Sequence, residues 1–475
     1  MTRRPRATRA RAAAAFAAVF AVVAWPERVH AAGLYATDRG VRPLGRGGAF
    51  VAGADDLGAI WYNPAGLADA GTSFLLDASW LHYTSSFAAQ STVTDMNGGQ
   101  EPSTPVPAAT GSTPVLPIPT LAGSFAFGPR KEWTAALGAY APMTAVASYP
   151  AAAASRYSLV SLDGSALVDA GLWLAYKPIE QLRLGIGVQA LVGTFATSVV
   201  MSANPQAHLL SAPEDPSYDS YSQLKVGPIF APTGSAGVTV VPERHVRIGL
   251  SGQLQTHIDA PATIQVRLPN SPLFDNARVS GDTARVIFNL PAILRAGVEV
   301  RPIDTLRVEL AYVAELWSNH TEIDIDPTNV QILGITAFPS PFNVGKIVIP
   351  RHFQDSNSLR LGGEYALGIG KYTLDLRAGA MLESSAVPAA YEAPLTIDLN
   401  KLVTSVGIGL HVGRHWRFDF VYAHAFEETV TVPSSAAAVP AINPVQGNLT
   451  PLAAINAGTY SAHADVLGLG LNYAF

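Results

Sequence analysis

The sequence predicts an all-β protein, a transmembrane antiparallel β-barrel of about 14 strands. Three observations predict it. The chain ends on an alternation in which Leu467, Leu469, Leu471, Tyr473 and Phe475 fall on one face of an extended strand, opposite Val466, Gly468, Gly470, Asn472 and Ala474. A period of two separates the faces, and the apolar face has no visible partner on the chain. The composition is 48% hydrophobic and 14% charged with mean hydropathy +0.21, yet beyond residue 31 no apolar run approaches the roughly 20 residues of a spanning helix. That leaves a large soluble core or a barrel that hides apolar residues at alternate positions. The third observation, the spacing of turns, decides between them.

The amino terminus reads as an export signal. Arg3 to Arg11 is basic, Ala12–Ala24 is apolar but too short to span, and Val29-His30-Ala31 offers small residues for cleavage after Ala31. Residues 1–31 are therefore assigned as a signal peptide. The absence of cysteine excludes disulfides, thiolate chemistry, cysteine zinc sites and lipidation at cysteine. Net charge of -5 and the lack of a basic patch argue against nucleic acid.

Residues 32–71 do not alternate. They run through Gly45-Arg46-Gly47-Gly48, Ala54-Asp55-Asp56 and Asn63-Pro64-Ala65-Gly66-Leu67, with small residues suited to close packing and a turn signal at Asn63-Pro64. No strand precedes the glycines and no Lys-Ser/Thr follows them, so a phosphate-binding loop is not supported.

Strands start at Thr72–Tyr83. Short turns then appear at 128–131, 178–181, 242–245, 302–305, 368–370 and 413–414, each between two alternating runs. Leu306, Val308, Leu310 and Tyr312 oppose Arg307, Glu309 and Glu315; Trp416, Phe418, Phe420 and Tyr422 oppose Arg417 and Asp419. The charged face could meet outside water or line a wet lumen, so alternation alone leaves both classes open. Long stretches rich in Pro, Ser, Ala and Asn separate the hairpins at 88–118, 143–164, 199–222, 269–283, 318–352, 384–399 and 430–460. Strict alternation of short turns with long loops is the pattern of periplasmic turns and extracellular loops. The hairpins plus the first and closing strands total about 14, with both termini periplasmic.

Taken in order, these motifs resemble the FadL/TodX family of outer-membrane transporters for long-chain fatty acids and other hydrophobic compounds. The resemblance rests on Gly45-Arg46, Ala54-Asp55-Asp56, Asn63-Pro64-Ala65-Gly66-Leu67, Arg156-Tyr157, Asn289-Leu290-Pro291-Ala292, Leu359-Arg360-Leu361-Gly362 and the terminal Phe475. It implies that residues 32–71 form a hatch inside the lumen of a barrel spanning 72–475, and that the third strand kinks to open the wall. Substrate would be caught by loops, enter an apolar pocket and leave sideways into the bilayer when the hatch moves. Lateral exit is physically reasonable, since a sixteen-carbon chain crossing a watery lumen would cost on the order of 12 kcal/mol at about 0.8 kcal/mol per methylene.

The resemblance assigns Asn63, Pro64, Ala65, Asp55 and Asp56 to the hatch, and Gly138, Tyr140 and Pro142 to the opening in the third strand. Leu209, Leu210, Leu273, Phe274 and Arg156 are the substrate-binding candidates, and Gly470, Tyr473 and Phe475 the signal read by barrel-assembly machinery. Plainer readings stand beside these: Pro142 as a strand end, the loop residues as packing on each other, Arg156 as paired with a lumen acid. No nucleophile elbow or helical metal-ligand pair accompanies the 11 histidines, so no catalytic residue, metal or cofactor is expected. The expected partners are a hydrophobic small molecule, outer-membrane lipid and lipopolysaccharide. The alternatives are a general polar-solute porin and a structural or adhesin-like barrel.

Overall fold

A computed structural model of the chain describes residues 38–90, 106–114, 117–141, 147–204, 216–443 and 454–475. The assigned signal peptide, Pro142, Leu209 and Leu210 lie outside them. Among the described residues an antiparallel barrel of 14 strands closes on itself. The strands are β1 (Ser73–Ala89), β2 (Pro117–Phe127), β3 (Trp133–Tyr140), β4 (Ala166–Ile179), β5 (Leu182–Ser202) and β6 (Asp219–Glu243). Next come β7 (Val246–Gln253 and Thr256–Arg267), β8 (Thr283–Leu290 and Ala292–Ile303), β9 (Leu306–Leu316 and Glu322–Pro327) and β10 (Ile347–Pro350 and Ser356–Ile369). The last are β11 (Tyr372–Glu383), β12 (Lys401–Val412), β13 (Trp416–Glu427) and β14 (Gly458–Ala474). The six short turns read from the sequence are hairpins at one end of this barrel. The expected strand at Thr72–Tyr83 begins one residue later and runs on to Ala89, because its upper half pairs with β14 and with a short strand at Ala109–Ser112. Closure is complete: β1 and β14 pair from Ser73↔Ala474 to Ala89↔Gly458 without a break.

Side chains sort by height. In the lower part of the wall the outward face is a lipid band, with Leu172, Ile186, Ile248, Leu310, Phe418 and Leu469 exposed. Paired rings mark its edge, Trp133 stacked on Tyr176 at 4.1 Å and Trp416 tilted against Tyr473 at 4.5 Å, as interfacial girdles do. The inward face of this part carries the charges: Arg247, Glu299, Glu309, Arg360, Glu364, Arg377 and Asp419 are all buried. Higher up the polarity reverses. Ile258, Ala260, Ala262, Ile264, Val286 and Ile325 are buried inside, while His257, Asp259 and Arg285 are exposed outside. In β7 the reversal is a break in the pleat. Leu254 and Gln255 are both exposed, so even-numbered residues face lipid below the break and the lumen above it.

Three short stretches outside the barrel, Arg278–Ser280, Gln331–Leu333 and Phe342–Asn343, form a small sheet in the outer loops. These loops were expected to be irregular at 269–283 and 318–352. Instead they carry local strands, together with the continuations of β9 and β10 that line the upper lumen.

Candidate functional site

Residues 38–71 lie inside the barrel. They form two single turns of helix, α1 (Val41–Leu44) and α2 (Ala59–Tyr62), followed by a 3-10 turn at Pro64–Asp69. Elements this short are marginal alone, and the wall holds them. One side is apolar: Phe50, Leu57, Ile60, Trp61 and Leu67 belong to one cluster with Leu75, Ala122, Tyr140, Trp173 and Ala175 of β1 to β4. The Trp61 and Tyr140 rings meet edge to face at 5.3 Å.

The other side is ionic. Arg42 reaches Asp55 at 2.7 Å, Asp56 at 2.9 Å and Glu364 at 2.8 Å. Asp55 also pairs with Arg307 at 2.7 Å, and Asp56 with Arg417 at 2.7 Å. Arg46, fully buried, bridges Glu299 at 3.0 Å and Glu309 at 3.1 Å. Glu309 in turn accepts from the backbone N–H groups of Val51, Ala52 and Gly53 at 2.6, 2.8 and 2.9 Å. Asp69 closes the set with Arg183 and Arg247, each at 3.0 Å. Burial would push the Asp55 carboxyl up, but the Arg307 and Arg42 guanidiniums hold it well below the usual carboxylate range. Asp56 is likewise lowered, by Arg42 and Arg417 against the effect of burial.

Backbone contact supplies the third element. Inward-facing glycines back the segment around the ring. A Cβ on Gly362 or Gly379 would overlap the Arg46 backbone, on Gly185 the Pro64 carbonyl group, and on Gly237 the Asn63 amide. A Cβ on Gly470 would meet Asp77 Oδ1 of the wall before Asp419 and Val41 of α1, each at 3.2 Å.

The residues singled out from the sequence fall as follows. Asn63 is fully buried. It donates to the Val51 carbonyl at 2.9 Å and to Thr239 Oγ1 at 3.0 Å, and caps the 3-10 turn by accepting from Ala65 N–H at 3.1 Å. Pro64 takes the first position of that turn, where its missing N–H costs nothing. Gly138 faces inward with Ile60 3.0 Å from where its Cβ would be, and the Tyr140 hydroxyl donates to Gln189 Oε1 at 2.6 Å. Arg156 donates to Asp219 at 2.8 Å and to the Tyr157 hydroxyl at 2.7 Å. Leu273 and Phe274 pack with Ala203, Ile332 and Ile335 in an outer-loop cluster. Tyr473 packs on Phe475 at 4.7 Å on the outside of the barrel, where Phe475 is exposed. Arg42, not singled out from the sequence, and Arg46, read there only as part of the Gly45-Arg46 motif, are the centre of the ionic side. Their signal was a pair of arginines beside an Asp-Asp step, facing a wall with both signs of charge.

Among the described residues two of the cavities lie above the internal segment. The outer one, about 640 Å³, is enclosed by the apolar upper wall and loops, including Val199, Leu224, Ile264, Ile349 and Leu395. This lies in the range of roughly 300–1,000 Å³ usual for small-molecule sites. The inner one, about 180 Å³, has Arg39 and Leu44 in its lining together with Leu81, Tyr83, Ile118 and Val466 of the wall. Leu395 touches both. The β1–β2 pairing ends at Trp80↔Pro117, and β1 next pairs at Thr84↔Ser112. The β3 pairings reach Tyr140, and Ala141 N–H donates to the Pro119 carbonyl at 3.3 Å. Pro117 and Pro119 lack the N–H a ladder needs. Among the described residues no group of three or more His, Asp or Glu could hold a metal ion.

A closed barrel with a lipid-facing band, a charged lower lumen filled by its own N-terminal segment and an apolar cup above defines an outer-membrane transport protein. The model of the outer membrane protein transport family (OMPP1/FadL/TodX) matches residues 20–475, and the chain belongs to this family of transporters and channels. Solved structures share the fold at low identity. A Pseudomonas aeruginosa FadL homologue gives a TM-score of 0.68 at 15% identity, over 93% of this chain and 99% of that one. The Ralstonia pickettii toluene transporter TbuX gives 0.58 at 16%, over 92% and 99%. The P. putida toluene transporter TodX gives 0.59 at 14%, over 88% and 94%. A sequence comparison with curated proteins gave no match.

Proposed function

We propose that this protein admits hydrophobic compounds to the outer membrane, and that residues 32–71 act as its hatch. The carrying observation is the vertical order in the lumen: apolar outer cavity, smaller inner cavity, and an ion-paired segment beneath. An apolar passenger could move along this path without entering water, a step that would cost about 0.8 kcal/mol per methylene exposed. The ionic side suits a part that moves. Buried ion pairs add less net stability than apolar packing of the same volume, because separated charges recover hydration. A general porin needs an open aqueous lumen, and the internal segment occupies it here.

The same reading takes 1–31 as a signal peptide and 72–475 as the barrel. The opening is assigned to the wall at β1 to β3, including the stretch that contains Gly138, Tyr140 and Pro142. No catalytic step is assigned. Lipopolysaccharide around the outer loops and assembly machinery reading Gly470, Tyr473 and Phe475 complete the proposed partners. The test is uptake of labelled long-chain fatty acid and toluene by cells carrying the native protein or Asn63→Ala. The native protein should accelerate uptake of at least one of the two and the variant should change that rate; uptake independent of the protein sinks the reading.

A further inference from the structure

The loop between β11 and β12, residues 384–400, does not stay on its own side of the barrel. Its middle, Ala393-Pro394-Leu395-Thr396-Ile397, is uncharged and folds into a tight turn, with Thr396 N–H donating to the Ala393 carbonyl at 2.8 Å. At the tip, Leu395 N–H donates to Ser158 Oγ at 3.2 Å. The Leu395 side chain packs against the cluster of Tyr149, Leu159 and Leu162. These partners belong to the loop between β3 and β4. By the shorter way round the closed wall, six of the 14 strands lie between the two loops, so the loops leave the rim at nearly opposite points. Their contact means that together they cross the lumen.

The crossing falls where the two cavities adjoin. Among the described residues Leu395 alone is common to both linings, with Ala393 facing the outer cavity and Pro394, Thr396 and Ile397 the inner one. The turn is therefore a strap laid between them. Its base is fixed: Asn456 Nδ2 donates to the Ala390 and Glu392 carbonyls at 2.8 and 2.9 Å, and Asp398 Oδ2 accepts from Ala386 N–H at 2.8 Å. The tip is held by single hydrogen bonds from separate elements, the one to Ser158, one from Arg351 Nη1 to Thr396 Oγ1 at 2.9 Å, and one from the Tyr83 hydroxyl to the Ile397 carbonyl at 3.3 Å. A fixed base under a lightly held tip is the build of a segment that opens locally while the fold around it stays closed.

We propose that residues 393–397 form an inner gate, and that Leu395 is the side chain a passenger displaces to pass from the outer cavity to the inner one. This rests on the hydrophobic-uptake reading and adds to it a barrier above the internal segment. The chain has no cysteine, so S158C/L395C places a thiol pair at the contact without background. The test is uptake of labelled palmitate and toluene by cells carrying the native protein, the double variant with and without a thiol oxidant, or either single variant. Loss of thiol labelling reports the cross-link, and heat-dependent gel mobility reports a folded barrel. Cross-linking should abolish the uptake that the native protein supports, reductant should restore it, and the single variants should ignore the oxidant. L395W, which needs no cross-link, should slow the same uptake. A cross-linked protein that takes up its passenger as fast as the reduced form would overturn the gate. Where no cross-link forms, a folded L395W with the native rate does the same. If the native protein supports uptake of neither compound, the uptake reading itself falls, and with it this one; if native uptake is present and indifferent to both closures, the gate alone falls.

Discussion

Glu309 is the wall residue on which the internal segment hangs most directly, and Glu309→Gln tests whether the segment is a latched hatch. The native carboxylate takes four hydrogen bonds, all donated by the segment: Val51 and Ala52 N–H on Oε1, Gly53 N–H and Arg46 Nη2 on Oε2. An amide presents one acceptor. Whichever way it turns, two segment donors then face an NH₂ group. Each bond to a charged acceptor contributes about 1.5–3 kcal/mol, partly offset because an amide is cheaper to bury than a carboxylate, so the seated state should lose about 3 kcal/mol. That is roughly a 150-fold shift toward the unseated state. The assay is single-channel recording in planar bilayers, with retained heat-dependent gel mobility as the check that the barrel is folded. Opening events should rise by about two orders of magnitude. A folded Glu309→Gln protein whose record matches the native one would refute the reasoning.

Gly362→Ala places a methyl on the Arg46 carbonyl, an overpacking of about 1–3 kcal/mol that should also raise conductance. Gly123→Ala, whose Cβ meets nothing nearer than Ser73 O at 3.9 Å, should leave it unchanged; equal conductance of the two would show that the glycine contacts do not seat the segment. In the outer loops, burial and then the Arg351 charge push the His320 imidazole down to about 4, against about 6.5 when unfolded. A depressed histidine contributes stability that is complete above about pH 6.5 and is lost as pH falls toward 4, roughly 3 kcal/mol in all. Protease sensitivity of the outer loops should therefore rise between pH 7 and pH 4.5 and rise less in His320→Asn; a flat native profile contradicts this.

Much of the wall was legible because a membrane barrel has few ways to satisfy its backbone. The turns at 302–305 and 413–414 and the alternation through Leu310 and Phe418 locate β8, β9, β12 and β13 with little help from tertiary structure. Asn63-Pro64 was legible as a turn, and its cap and first-turn proline are local chemistry. The grip of the wall was not. That Arg307, Arg417 and Glu364 meet Asp55, Asp56 and Arg42 depends on which inward positions share a height, and register between strands distant in sequence is not written in a single strand. The reversal in β7 was hidden for another reason. Apolar residues stay on even numbers from Val246 through Ile264, so the pattern reads as one uninterrupted strand. The two exposed residues at Leu254 and Gln255 turn the face over without disturbing the period.

That reversal also fixes how deep the molecule floats. From Val246 to Leu254 the strand has the span of about 9–11 residues that crosses a bilayer when tilted, and the exposed His257 and Asp259 above it would resist sinking into hydrocarbon. The outer cavity consequently rides at the level of the head groups or above, like a funnel standing proud of the surface, and the inner cavity lies below the waterline. On the proposed lateral route a passenger would descend before leaving, since a doorway cut at the height of the funnel would open onto water rather than oil.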